Sequence, residues 1–359
     1  MSIHLITGAT GFVGSALLAR LLRDGEQVRI VVRSTDHADR FREQVERGEL
    51  EVRVASLGDP NAIAAAAEGV DVLYHCAAEN SLDAAPAAVS WVNVAGTENV
   101  RNAARHAGVR RLVHVSCTDV TLSNRDRMSW NEGRQLDGLP IDAFCRSKLL
   151  AEELVLPSSG KDFQACALRP AWVWGPGDRR TLPALCREAA RGRVSLCGPG
   201  NNLLPTVYID NLVDALILAG EADDVGGRAF HVLDGEALTA REFLEQLCQA
   251  VGLAAPARGV YALAYSAAWV RERFGLPGLH RADVVRRGRS ALFDAVAAVR
   301  ELGYQPRVSV EEGMRALAAW VQEAGGPTAL AQNVRTPTSQ HEVEALIRLS
   351  ETDGATPAT

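Results

Sequence analysis

The most constraining feature of this chain lies at its start. Ile3-His4-Leu5-Ile6-Thr7 is an apolar run with the texture of a strand, and it passes directly into Thr7-Gly8-Ala9-Thr10-Gly11-Phe12-Val13-Gly14. Leu17, Leu18, Leu21 and Leu22 then recur at helical spacing until Asp24-Gly25 supplies a stop. In such a unit Gly8 permits the tight turn, Gly11 lets backbone approach a pyrophosphate, and Gly14 lets the helix pack on the strand. The helix start contributes free N–H groups and the positive end of its dipole. A ligand-free glycine turn needs none of this registration. Gly8, Thr10, Gly11, Phe12, Val13 and Gly14 are therefore read as a dinucleotide-binding loop.

The alternation continues downstream, with strand-like runs over 27–32, 51–55, 70–75, 112–116 and 163–169. Helical patterns separate them: a polar one around 41–47, a long one over roughly 88–106, and one from about 144 to 156. Six strands joined by helical crossovers predict an α/β protein with a doubly wound parallel Rossmann sheet. After Arg169-Pro170 the texture changes, and from Thr239 onward helices dominate, including an aromatic-rich stretch over 261–274. The expected division is a dinucleotide-binding domain over 1–180 joined by 206–234, and a smaller, mostly helical substrate-binding cap over 181–205 and 235–326. A mobile tail is expected over 327–359, with one short helical candidate near 342–349.

With 359 residues, 47% of them hydrophobic, the chain can bury a large core without staples. A net charge of −6 does not suggest the basic face that a nucleic-acid backbone requires. The seven cysteines are scattered without CxxC pairs, so neither metal site nor disulfide framework is indicated, and reduced thiols in a cytoplasmic protein fit best. The N-terminus lacks the basic stretch and long apolar run of a signal peptide, and no apolar run reaches membrane-spanning length. The expected partners are a small hydrophobic substrate and, as an assembly, a second copy in a homodimer.

The second strand ends Val31-Val32-Arg33-Ser34, so Val32 and Arg33 stand where an NAD-preferring domain keeps an acid for the ribose hydroxyls. A cation there welcomes a 2′-phosphate, with His37 and Arg40 adding to the field, although arginines at strand ends are also commonly just solvated. NADP(H) is the preferred cofactor, with NAD(H) admitted.

At this point the chain resembles the extended short-chain dehydrogenase/reductases of the NAD-dependent epimerase/dehydratase class, and within them the 3β-hydroxysteroid dehydrogenase and sterol-4-carboxylate dehydrogenase-like branch. The resemblance covers nearly all of residues 1–325. It rests on the glycine loop, Gly69-Val70-Asp71-Val72 leading to His75-Cys76-Ala77-Ala78, and Asn93-Val94-Ala95-Gly96-Thr97-Glu98-Asn99-Val100. It continues through Leu112-Val113-His114-Val115-Ser116, Ser147-Lys148, Leu168-Arg169-Pro170 and Leu302-Gly303-Tyr304-Gln305-Pro306. It implies that Ala77 and Ala78 pack beside the adenosine ribose, that Lys148 bonds the nicotinamide ribose, and that Pro170 to Val173 line the nicotinamide. Asn93 joins the cofactor-binding set, and Ser56, followed by Leu57, replaces the acid the family often shows before the adenine pocket.

Two departures fall where the chemistry happens. The resemblance implies a tyrosine four residues before the lysine and a serine in the strand-end motif; here those positions are Phe144 and Cys117. Ketone reduction leaves an alkoxide that needs a proton, and phenylalanine has none to give. Three readings stay open. The chain works as an oxidoreductase through another proton path, by Cys117, Ser116 or a water held by Lys148. It is instead an NADP(H)-binding sensor or ligand-binding protein that kept the fold and lost the acid. Or Phe144 was introduced to trap a complex. Cys117 also fits as a small buried residue filling the space of a serine. Trp172, Trp174, Tyr261, Tyr265, Trp269 and Phe274 would make an apolar crevice for a sterol or polyketide if they face it, and core packing explains them equally well. Arg179 and Arg180 offer a site for an acidic group.

Overall fold

The computed structural model describes residues 2–81, 84–134, 138–276 and 278–332. Strand β1 (Ile3–Thr7) is followed by helix α1 (Phe12–Arg23), whose buried face carries Gly14, Leu17, Leu18 and Leu21. Each leucine buried this way contributes about 1.5–3 kcal/mol. Gly25, at φ +79°, turns the chain into β2 (Gln27–Val32). The remaining strands of the main sheet are β3 (Leu50–Val54), β4 (Val72–His75), β5 (Arg111–Val115), β6 (Gln164–Pro170) and β7 (Ala229–Val232). Their order is β7-β6-β5-β4-β1-β2-β3, and every pairing is parallel.

This is the doubly wound Rossmann layout expected, with one strand more than the six read from the sequence. The seventh, Ala229–Val232, is four residues long and interrupted by His231, too short to announce itself by pattern, although all four residues are buried. The strand order reverses beside β1, which places a crevice between the carboxyl ends of β1 and β4.

Both faces of the sheet are covered. One holds Leu17, Leu21, Ile30 and Val113 against Leu212 and Leu216. The other packs Leu5, Leu73 and Leu112 against Ile63, Val100, Ala104 and Val155. The long helix expected over 88–106 is a helix Pro86–Ser90, a π-helical turn Trp91–Ala95 and α2 (Gly96–His106) in succession. Helix α3 (Ala143–Val155) carries Phe144 and Lys148 and is capped by Asp142, whose carboxylate accepts the Cys145 N–H.

The later chain is mostly helical. Helices α4 (Thr181–Ala190), α5 (Ala240–Ala250) and α6 (Val310–Glu323) surround a separate apolar cluster of Trp174, Leu185, Phe243, Leu247, Leu317 and Val321. Residues 326–332, expected to belong largely to the mobile tail, form helix α7 (Gly326–Gln332), because Leu330 is buried in that same cluster. The rest of the expected tail, with the helical candidate near 342–349, lies outside the described residues. Among the described residues no helix is long and apolar enough to cross a membrane.

Candidate active site

The glycine loop is shaped by close backbone approaches that only glycine allows. Gly8 takes φ +76°, and a Cβ on it would lie 2.6 Å from the Ala77 nitrogen; one on Gly14 would lie 2.3 Å from the Gly8 oxygen. The turn after β1 is thereby pressed against the turn after β4, at the point where the strand order reverses. Gly11 donates to the Gly8 carbonyl at 2.9 Å and starts α1 without a side-chain cap. The first N–H groups of α1 thus keep the capacity that a diphosphate uses. Phe12 packs inward, its ring beside Gly177, while Thr10 and Val13 are half-buried. This cradle fits a dinucleotide: the backbone is open where oxygen must approach, and side chains are absent where they would block it.

At the end of β2, Arg33 is exposed and makes no ion pair among the described residues. The Ser34 hydroxyl lies 2.7 Å from His37 Nδ1. Burial, and then the charges of Arg33 and Arg40, push the His37 imidazole down from its ordinary range. Ser56 accepts the Gly58 N–H at 3.2 Å, and the Leu57 carbonyl accepts from Asn99 at 2.8 Å.

Deeper in the crevice, Lys148 is 2% exposed, and its Nζ lies 3.2 Å from His114 Nε2. Burial pushes the Lys148 ammonium down to about 8. His114 is the register partner of His75 across β5 and β4, with ring centroids 5.3 Å apart. His75 is held between the Thr7 hydroxyl at 2.7 Å and the Thr97 hydroxyl at 2.9 Å. Burial lowers both histidines, His75 to about 3 and His114 well below its usual value, so both are neutral imidazoles. Neither was singled out from the sequence; the available signal was a histidine at the carboxyl end of each of two strands that precede the lysine.

The three catalytic candidates around Lys148 have different environments. Ser116 donates its hydroxyl to Glu152, which also takes a two-pronged bond from Arg169, Nη2 at 2.6 Å and Nε at 3.0 Å. That hydroxyl is committed to a buried ion pair rather than turned toward a substrate. Cys117, half-buried, immediately precedes the short helical turn Thr118–Thr121 without a side-chain capping bond, and burial with the Asp119 charge pushes its thiol up to about 12. Phe144 packs against an apolar cluster of Leu122, Cys145, Ala282 and Val285. Tyr265, remote in sequence, packs against that same cluster.

Asn93 spends its amide within the protein. Its oxygen accepts the Glu79 N–H at 2.7 Å, and its nitrogen donates to the Glu79 carbonyl and the Ser147 hydroxyl, both at 2.9 Å. It thus ties the turn after β4 to α3 beside Lys148. Ala77 and Ala78 are half-buried on that turn; Pro170 ends β6 buried, and Val173 is half-buried between two cores. The aromatic residues divide. Trp174 is buried, donating to Asp234 at 2.9 Å, whereas Trp269 and Phe274 are 53% and 70% exposed. Among the described residues no group of histidine, cysteine and acid side chains is arranged to hold a metal.

Residues 5–263 match the model of the 3-beta hydroxysteroid dehydrogenase/isomerase family. A 2-alkyl-3-oxoalkanoate reductase of Stenotrophomonas maltophilia is 34% identical over 332 residues, covering 88% of this chain and 98% of its own. A 4-hydroxy-2-methyl-3-oxo-4-farnesyl-3,4-dihydroquinoline-1-oxide ketoreductase of Stigmatella aurantiaca is 32% identical over 320 residues, covering 87% and 94%. Among solved structures, a dTDP-glucose 4,6-dehydratase double mutant from Streptomyces venezuelae, with NAD and DAU bound, superposes with a TM-score of 0.72 at 25% identity, covering 90% and 98%. The chain therefore belongs to the 3-beta hydroxysteroid dehydrogenase/isomerase family, within the extended short-chain dehydrogenases, and is an NAD(P)-binding oxidoreductase acting on CH–OH or C=O groups.

Proposed function

We propose that this protein is an NADP(H)-preferring reductase of a ketone carried on a bulky hydrophobic substrate, with Lys148 delivering the proton that a tyrosine would ordinarily supply. The observation that carries this reading is the buried Lys148, whose ammonium is pushed down to about 8 and rests 3.2 Å from a neutral histidine. Bound at the glycine loop, the reduced dinucleotide supplies the hydride. The chain's own residues do the rest: Lys148 holds a proton at Nζ, and His114 Nε2 accepts a hydrogen bond from it and fixes its position. At pH 7 an ammonium of that acidity is still mostly protonated, and it gives its proton up more readily than an unperturbed phenol near 10. Phe144 closes the wall where the phenol would stand, Cys117 fills the space of the serine, and Ser116 is left to the Glu152–Arg169 pair.

Arg33, exposed and without a carboxylate partner among the described residues, supports the preference for a 2′-phosphate. The relatives named for a 3-oxoalkanoate and for a farnesyl-bearing 3-oxo compound support a ketone on an apolar chain. The test is NADPH consumption by the purified protein with a 2-alkyl-3-oxoalkanoate and a panel of bulky ketones. Turnover with kcat/KM at least tenfold higher for NADPH than for NADH is expected. Equal use of the two dinucleotides would overturn the preference, and a flat trace with intact dinucleotide binding would overturn the activity.

A further inference from the structure

Position 58 is a glycine for a reason its backbone does not supply. The φ of Gly58 lies outside the left-handed region, so any residue could take its conformation, yet a Cβ there would overlap Cη2 and Cζ2 of the half-buried Trp91 ring. The indole occupies the side-chain space of position 58. Two further grips fall on the residue before it: a Cβ on Gly96 would lie 3.0 Å from Leu57 Cβ, and Asn99 donates to the Leu57 carbonyl at 2.8 Å.

Trp91, Gly96 and Asn99 belong to one continuous helical run, the π-helical turn Trp91–Ala95 followed by α2. In an α-helix each residue advances about 100°, so residues five apart stand about 140° apart around the axis. A π turn closes from residue i to i+5 and brings such residues back toward one face. Trp91 and Gly96 can therefore both bear on the turn that follows β3. The same π turn carries Asn93, whose amide bonds the Glu79 backbone and the Ser147 hydroxyl beside Lys148. Five residues thus tie the turn after β3 to the turn after β4 and to α3.

What this holds in place follows from where a dinucleotide lies. In a doubly wound sheet the first βαβαβ half receives the adenosine part, with the diphosphate on the start of the first helix and the ribose facing the end of the second strand. Here that half is β1, β2 and β3, and the Ala55 N–H donates to the Val32 carbonyl at 2.9 Å, which keeps the 56–58 turn beside Arg33. We infer that Trp91 is a positioning residue of the cofactor site: its ring holds the 56–58 turn as the wall against which the adenine base rests. It sets the affinity for the adenosine half of the dinucleotide and leaves the proton step to other residues. The assignment rests on NAD(P) binding, and on neither the Lys148 proton nor the Arg33 preference.

Calorimetry on the full-length protein tests this, with 5′-AMP and adenosine 2′,5′-bisphosphate as probes of the adenosine half and NADP+ as the whole. In Trp91→Ala both probes are expected to bind roughly tenfold more weakly or worse, because a wall that must be ordered on binding costs affinity. Trp91→Phe keeps a ring at position 91 and should stay within threefold of the wild type. NADP+ should lose the same factor as the bisphosphate. In Gly58→Ala the added methyl meets the ring, and probe binding should fall fivefold or more; joined to Trp91→Ala it should cost little further, because the two changes act through one contact. Probe affinities within threefold of the wild type in Trp91→Ala would overturn the inference. So would a loss much larger for NADP+ than for the bisphosphate, which would mean that the whole crevice had loosened. If Trp91→Ala does not fold, Gly58→Ala decides, and unchanged probe binding there overturns the assignment. Equal affinities of the wild type for 5′-AMP and the bisphosphate would sink the 2′-phosphate preference alone.

Discussion

Lys148 Nζ and His114 Nε2 lie 3.2 Å apart, both in groups shut away from water. For that contact to be a hydrogen bond, the imidazole must be neutral and carry its proton on Nδ1, a nitrogen that has no other partner. The histidine is then the ammonium's acceptor. In His114→Phe the ring volume remains and the acceptor is lost, which costs the buried ammonium about 1–3 kcal/mol. The lysine should become more acidic by about 1–2 pH units. The expected result is a pH midpoint of single-turnover reduction shifted down by that amount, with NADPH affinity changed less than threefold. An unmoved midpoint would remove His114 from the proton path.

Phe144 stands one helical turn before Lys148 on α3, at the place where the resemblance implies a phenol. Phe144→Tyr should raise the reductive rate, and general acid catalysis, worth roughly 10²–10⁴-fold, bounds the gain. If, as proposed, Lys148 supplies a proton, a rise of about tenfold to a hundredfold is expected in steady-state kcat. No rise would mean that the packing around Leu122 and Ile141 holds the ring away from the substrate.

On the proposed reading, Arg33 carries the preference between dinucleotides. Arg33→Asp removes a charge-assisted contact and puts repulsion against the 2′-phosphate, so NADPH should bind at least tenfold more weakly in a fluorescence titration. NADH should change little. Unaltered NADPH affinity would detach Arg33 from the site.

Glu152 is 2% exposed and compensates Arg169, itself mostly buried, while accepting the Ser116 hydroxyl. In Glu152→Gln the guanidinium is left buried without its counter-charge. Breaking a buried pair this way costs roughly 3–5 kcal/mol, and the thermal midpoint should fall by roughly 10 °C. A fall under about 2 °C would show that the pair contributes little.

The parts of this protein legible in its sequence are those whose physics is local. The glycine loop, its helix and Arg33 follow one another within about thirty residues, so spacing alone fixes their relation, and the need for Gly14 where the helix packs on the strand was readable from the motif. The place of Ala77 against Gly8 depends on the pairing of β1 with β4 and was not read from the sequence. What stayed hidden depends on pairings between distant segments. That His75 and His114 sit side by side follows from the β4–β5 register, which no single strand encodes. Ser116 looked like a proton donor because its hydroxyl direction is set by Glu152, 36 residues further on. The aromatic residues of the cap could be counted but not aimed: Trp174 turned into the core, and Trp269 and Phe274 turned to the surface.

The central claim is that the buried ammonium of Lys148 supplies the proton. Its most direct measurement is the rate of single-turnover ketone reduction as a function of pH, in the wild type and in Lys148→Met. With the group pushed down to about 8, the protonated form prevails below that value and is lost above it. The wild-type rate should be level below about pH 7 and fall tenfold per unit above about 8, and Lys148→Met should be slower by a hundredfold or more with no such break. A wild-type rate that stays level to pH 10, or a Lys148→Met variant that keeps it within threefold, would contradict the account.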